Sequence, residues 1–254
     1  MENNIVNNVE TFDLIGGYVD KQGTLHTDFD IREMNGSDEE AISKNEVKTN
    51  GGKIVRTILE RCCERIGTIY KSDVKSSEWR EIIQSLTVGD QDMMLTRIRQ
   101  ISLGQEIEPA YKCPSESCKS DITVFVDVDE LEIKPFLGER EIEFELPKGG
   151  RLKDGTIVKR GKLRHPNGLD REVLDGVMRK NSGLANTMML TRLITELEGT
   201  KVHDDFVRNL SIKDRQYLQD LIKEHNFGIE LEVEVTCPDC METFRASLNA
   251  VNFI

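Results

Sequence analysis

Residues 86–114, LTVGDQDMMLTRIRQISLGQEIEPAYKCP, and residues 210–238, LSIKDRQYLQDLIKEHNFGIELEVEVTCP, align without a gap at an offset of 124. Leu86, Asp90, Ile98, Gly104, Glu106, Glu108, Cys113 and Pro114 meet Leu210, Asp214, Ile222, Gly228, Glu230, Glu232, Cys237 and Pro238, eight identities in 29 positions. Chance would give roughly one or two. The correspondence continues upstream at an offset of 132, where TFDLIGG (11–17) answers EFELPKG (143–149). Gly23-Thr24-Leu25 answers Gly155-Thr156-Ile157, Asn35-Gly36 answers Asn167-Gly168, and Gly67-Thr68 answers Gly199-Thr200. The change of offset leaves eight extra residues in the first copy between Gly67-Thr68 and Leu86, a region that holds the only tryptophan, Trp79. The chain therefore reads as two copies of one unit, residues 9–130 and 141–254, joined by a linker at 131–140. Whatever folds one copy must fold the other.

Each copy opens with two alternating segments around turn glycines, which predicts a β-hairpin or small meander. A helix start follows, NGSDEEAIS in the first copy and NGLDREVLD in the second. Ser37 and Glu40 have the spacing of a capping box, and Asp170 is a looser start signal. Ile54, Ile58, Cys62 and Ile66 then predict one helical stripe, as do Leu190, Leu193, Ile194 and Leu197. A last helix begins at Asp90 or Asp214 and ends at Gly104 or Gly228. Strand, cysteine turn and strand complete the unit, with glutamates facing out. The expected fold class is α+β: a tandem duplication of β-hairpin, helices and cysteine-knuckle hairpin.

The cysteines give this pattern a purpose. Cys113 and Cys118 are spaced C-x4-C, and Cys237 and Cys240 are spaced C-x2-C. Both spacings suit a structural zinc site, and four thiolates complete a tetrahedral shell. One copy supplies two ligands, too few to close a site. The favoured arrangement is a single zinc-ribbon-like centre shared by both knuckles; separate sites and four free thiols are the alternatives. Four thiolates leave no open coordination position, which argues against a catalytic metal. Cys62 and Cys63 are adjacent, point apart on a helix, and read as small buried hydrophobes.

Hydrophobic content of 37%, charged content of 31% and a net charge of -12 describe a globular protein poorly suited to nucleic acid. The densest basic run, RLKDGTIVKRGKLRH at 151–165, alternates like the wet face of a hairpin. No apolar run is long enough to span a bilayer, and MENNIVNNVE lacks the marks of a signal peptide, so a reducing cytoplasm is expected. His165 reads as surface and His225 as the end of the last helix; neither they nor His26 and His203 accompany a nucleophile. Met93-Met94 and Met188-Met189 read as core. Nothing makes a positive case for an enzyme.

FELPKGG (144–150) and DRQYLQDLIKEHNFGIELEVEVTCPDC (214–240) resemble the baseplate protein family of T-even-type contractile-tailed phages, which is associated with assembly of the baseplate hub. The first copy is more diverged: DLIGG replaces the LP-x-x-G start and its knuckle is stretched. Met241 stands where the family usually has glycine after the second cysteine. The resemblance implies a non-enzymatic structural or assembly protein that engages hub or tape measure proteins. It would work in the host cytoplasm during assembly and either stay in the virion or leave as a chaperone. The competing reading is a zinc-ribbon nucleic-acid-binding or regulatory module.

Overall fold

The computed structural model describes residues 9–152, 154–198 and 202–248. Strand β1 (Val9–Val19) pairs antiparallel with β2 (Leu25–Arg32). The turn between them closes because Asp20 accepts the N–H groups of Gln22 (2.9 Å) and Thr24 (2.8 Å), while Gly23 takes φ +86°, which a side chain disfavours. Helices α1 (Gly36–Ile42), α2 (Asn45–Lys48) and α3 (Gly51–Cys62) follow. Strands β3 (Cys63–Ile66) and β4 (Ile69–Tyr70) then extend the sheet to the order β1-β2-β3-β4. The first half ends in α4 (Ser76–Ser85), α5 (Val88–Leu103) and the short strands β5 (Glu106–Ile107), β6 (Ala110–Lys112), β7 (Asp121–Thr123) and β8 (Val126–Asp127).

After β9 (Ile133–Lys134), strands β10 (Glu141–Arg151) and β11 (Ile157–Arg164) form the second long hairpin. Helices α6 (Gly168–Met178) and α7 (Ser182–Leu193) lead into β12 (Ile194–Leu197), giving a sheet β10-β11-β12. Helices α8 (Asp204–Asn209) and α9 (Ile212–Glu224) precede β13 (Gly228–Ile229), β14 (Glu232–Thr236) and β15 (Thr243–Ser247).

The same side-chain devices occur in both halves. The β1–β2 ladder is interrupted between Asp13 and Tyr18, and the β10–β11 ladder between Glu145 and Gly150. Buried Asp90 satisfies the first interruption by accepting the N–H groups of Ile15 and Gly16, both at 2.8 Å. Asp214 accepts Lys148 N–H at 2.8 Å at the second. Asp38 sits under Arg32 (2.7 Å) and Arg61 (2.6 Å), and Asp170 under Arg164 (2.6 Å) and Arg192 (2.6 Å). Each of these four aspartates is buried yet fully engaged, so burial does not leave a naked charge.

One large core fills the first half, from Phe29 and Ile31 to Trp79 and Ile98, and a second runs from Phe144 to Leu218. The halves are stitched together. Val88 N–H donates to Pro166 O at 2.9 Å, Gly168 N–H to Leu86 O at 3.0 Å, and Arg171 binds Asp92 at 2.6 Å. Helix α3 lies so close to α6 that a Cβ on Gly52 would stand 2.6 Å from Glu172 N.

Several sequence expectations need correction. Cys62 and Cys63 do not share a helix: α3 ends at Cys62, and Cys63 opens β3 opposite Ile31. Likewise Ile194 and Leu197 belong to β12, not to the helix that carries Leu190 and Leu193. The capping box of α1 is Asn35 with Asp38 rather than Ser37 with Glu40, and Asn167 with Asp170 repeats it at α6. Thr87 and Ser211 are the N-caps of the last helices, which places Asp90 and Asp214 inside the first turn. Gly104 caps α5, whereas α9 ends at Glu224 with His225 as its cap, and Gly228 lies in β13. Within the segment read as linker, Ile133–Lys134 pairs with Gly228–Ile229. His165 is half-buried against Phe136 and Phe227 instead of free on the surface. Met93 and Met94 are buried, but Met188 and Met189 only half so. Gly199-Thr200, and the end of the second copy from 249, lie outside the described residues.

Candidate metal centre

Two short hairpins carry the four cysteines. In the first, Lys112 pairs with Asp121, and Cys113 N–H donates to Ser120 O at 2.9 Å to begin the knuckle. In the second, Thr236 pairs with Thr243, and Cys237 N–H donates to Glu242 O at 2.8 Å. Each knuckle reverses through a left-handed residue directly after its second cysteine: Lys119 at φ 54° and Met241 at φ 62°. Those turns swing both sulfurs of a knuckle to one side.

The two hairpins face each other over a small apolar layer of Ile122, Val235 and Ala246, with Tyr111, Val124, Val233 and Phe244 packed around it. Tyr111 OH donates to Ser247 O at 3.3 Å and ties one hairpin to the other. This brings the four sequence-predicted residues together: the sulfurs of Cys113, Cys118, Cys237 and Cys240 all lie within 4.8 Å of one another. Cys113 Sγ is 3.5 Å from Cys240 Sγ, and Cys118 Sγ is 3.7 Å from Cys237 Sγ. A tetrahedron with Zn–S bonds of about 2.3 Å has S···S edges of about 3.8 Å. The donor set therefore fits a soft, four-coordinate ion such as zinc in both chemistry and size.

The surroundings bias the sulfurs. Backbone N–H groups of Ser115, Ser120 and Glu242 face Cys113, Cys118 and Cys240 respectively. The Ser120 hydroxyl, then its N–H, hold Cys118 at about 7, well under the ordinary 9.0. Burial pushes Cys113 up. At Cys240 the Glu242 N–H favours the thiolate, but burial and the three neighbouring sulfurs outweigh it and push the thiol up to about 12. A thiolate at Cys118 thus forms readily and opposes ionisation of Cys113 and Cys240, a conflict that a bound cation would resolve. Cys237 and Cys113 are buried, Cys118 is half-buried, and Cys240 is exposed.

Sequence reasoning picks out the four cysteines that meet, but not the residues that support them. Tyr111 and Ser120 carry no motif of their own; the only available signal was their place beside the cysteines. Among the described residues, these cysteines are the one group of three or more His, Cys, Asp or Glu side chains placed to hold a metal. His26 is buried against Asp20 at 3.1 Å, His225 bonds Leu221 O at 3.0 Å, and His203 is exposed. The basic run on β11 is interleaved with acids: Arg160 meets Glu145 and Lys162 meets Glu141, both at 3.3 Å. Around the knuckles Glu116, Asp239 and Glu242 are exposed. No helix among the described residues is long and apolar enough to cross a membrane.

A family model described as T4 bacteriophage base plate protein matches residues 25–172, more than half of the chain. The chain belongs to that family. No curated protein and no solved structure matches this base plate protein. The matched stretch takes in the first knuckle and FELPKGG at 144–150, and it ends before the 214–240 segment that helped carry the resemblance in the sequence. The second pair of cysteines thus lies beyond the matched residues.

Proposed function

We propose that this base plate protein is a non-enzymatic structural or assembly component of a contractile phage tail. In this reading one structural zinc, held by Cys113, Cys118, Cys237 and Cys240, fastens together the two products of an internal duplication. The observation that carries it is the meeting of four sulfurs from hairpins 119 and 127 residues apart, in a chain of the base plate family. A closed thiolate shell offers no site for substrate, and its role would be to fix the relative placement of two lobes. The shared buried-aspartate devices support the duplication, with units at 9–130 and 141–254. Its partners would be hub or tape measure proteins, met in the host cytoplasm during assembly.

Metal analysis of the purified protein tests the centre: one zinc per chain supports the shared site, two indicate separate sites, and none removes it. Co-purification from infected cells tests the role. Retention of hub or tape measure proteins supports it, and a folded, metal-loaded protein that retains neither overturns it.

A further inference from the structure

The exposure and pairing of the four sulfurs carry a consequence beyond metal binding. Cys240 is the exposed member of the cluster, and Cys113, on the opposite knuckle, has its sulfur 3.5 Å away. Cys118 and Cys237, with sulfurs 3.7 Å apart, also face each other between the knuckles. We propose that the centre is an oxidation-sensitive latch, in which a peroxide converts the metal-bridged junction into a Cys113–Cys240 disulfide. This rests on the shared-metal reading above.

The chemistry balances without a further reactant. Cys240 sulfur attacks one oxygen of hydrogen peroxide, the O–O bond breaks, and hydroxide leaves, giving a sulfenic acid. Cys113 sulfur attacks that sulfur and displaces the second hydroxide. Two thiolates lose two electrons in total and the peroxide gains them. With Cys113 and Cys240 joined, only Cys118 and Cys237 would remain to hold an ion, too few to close a structural site. Closing 3.5 Å to a bond of about 2.05 Å brings the two sulfurs about 1.5 Å nearer. Because the bond crosses from one hairpin to the other, the junction survives the loss of its ion. A disulfide within the C-x2-C knuckle would instead release one hairpin from the other.

The test treats the purified full chain with a few equivalents of hydrogen peroxide. Released metal is followed with a chromogenic chelator, and disulfides are then mapped by mass spectrometry after digestion without reductant. The expected result is about one equivalent of metal released, with Cys113–Cys240 as the dominant linkage, and loss of that linkage in Cys113→Ser. A dominant Cys237–Cys240 or Cys113–Cys118 linkage, or thiols unchanged after metal release, overturns the latch. Metal content measured before oxidation separates the two ideas. A chain that holds no metal yet still forms Cys113–Cys240 refutes the shared-metal reading while the sulfur pairing stands.

Discussion

Met241 has a left-handed backbone without being glycine, as does Lys119 at the matching place in the other knuckle. Such a residue carries on the order of 1 kcal/mol of strain. Met241→Gly should therefore raise the stability of the metal-loaded protein by about 1 kcal/mol, read as a higher urea midpoint. Asp38 offers a second prediction. Burial opposes its ionisation, but the hydrogen bonds from Arg32, Asn35 and Arg61 prevail, and its pKa falls from 3.8 to about 2. A carboxylate depressed on folding stabilises the native state above its unfolded pKa and loses that contribution as pH falls through its folded one. About 2 kcal/mol should be lost between pH 4 and pH 2. Acid titration of Asp38→Asn should show a shallower fall over that window. Cys62 belongs to the same neighbourhood: burial, reinforced by Asp38, pushes it up to about 12, so it stays a thiol at neutral pH.

At the level of elements, the α3–α6 contact is set by Gly52, whose missing side chain lets the helices meet backbone to backbone. Gly52→Ala should force them apart and cost about 2 kcal/mol or more in urea unfolding. Gly36→Ala, at the open start of α1 where nothing lies within 4 Å, should be close to neutral. The helices also show where sequence reading fails. Ile54, Ile58, Cys62 and Ile66 fall four apart, and a spacing of four satisfies a helix and, as twice two, a strand. Periodicity alone could not see that the chain leaves the helix at Cys63, because pairing of β3 with β2 decides it, and that pairing is a contact between distant residues. The helix starts are legible in residue type but not in position: spacing points to Ser37 with Glu40 and to Asp170 alone, whereas Asn35 pairs with Asp38 and Asn167 with Asp170.

For the molecule as a whole, the meeting of the four sulfurs is readable from spacing plus repetition, since two cysteine pairs in two segments of similar sequence have few ways to be satisfied. The stitching of the halves was not readable, because Arg171–Asp92 and the seam between Leu86 and Gly168 involve no motif. That division predicts how the protein responds to a chelator. Trp79 lies in the first-half core with its indole N–H on Glu60 O at 3.2 Å, in a different cluster from the cysteines. Metal removal should lower the thermal midpoint and open four thiols to a reagent such as DTNB, while Trp79 emission stays native until global unfolding. Simultaneous loss of both signals would mean that the centre supports the entire fold. The distance along the chain between the two knuckles has a consequence in time. Cys118 must wait for 119 more residues before Cys237 exists, a delay of roughly 6–24 s at ~5–20 residues per second. In the shared-site reading, an ion captured by the first knuckle alone would be weakly held throughout that interval, and firm capture would report that the ribosome has delivered the second half.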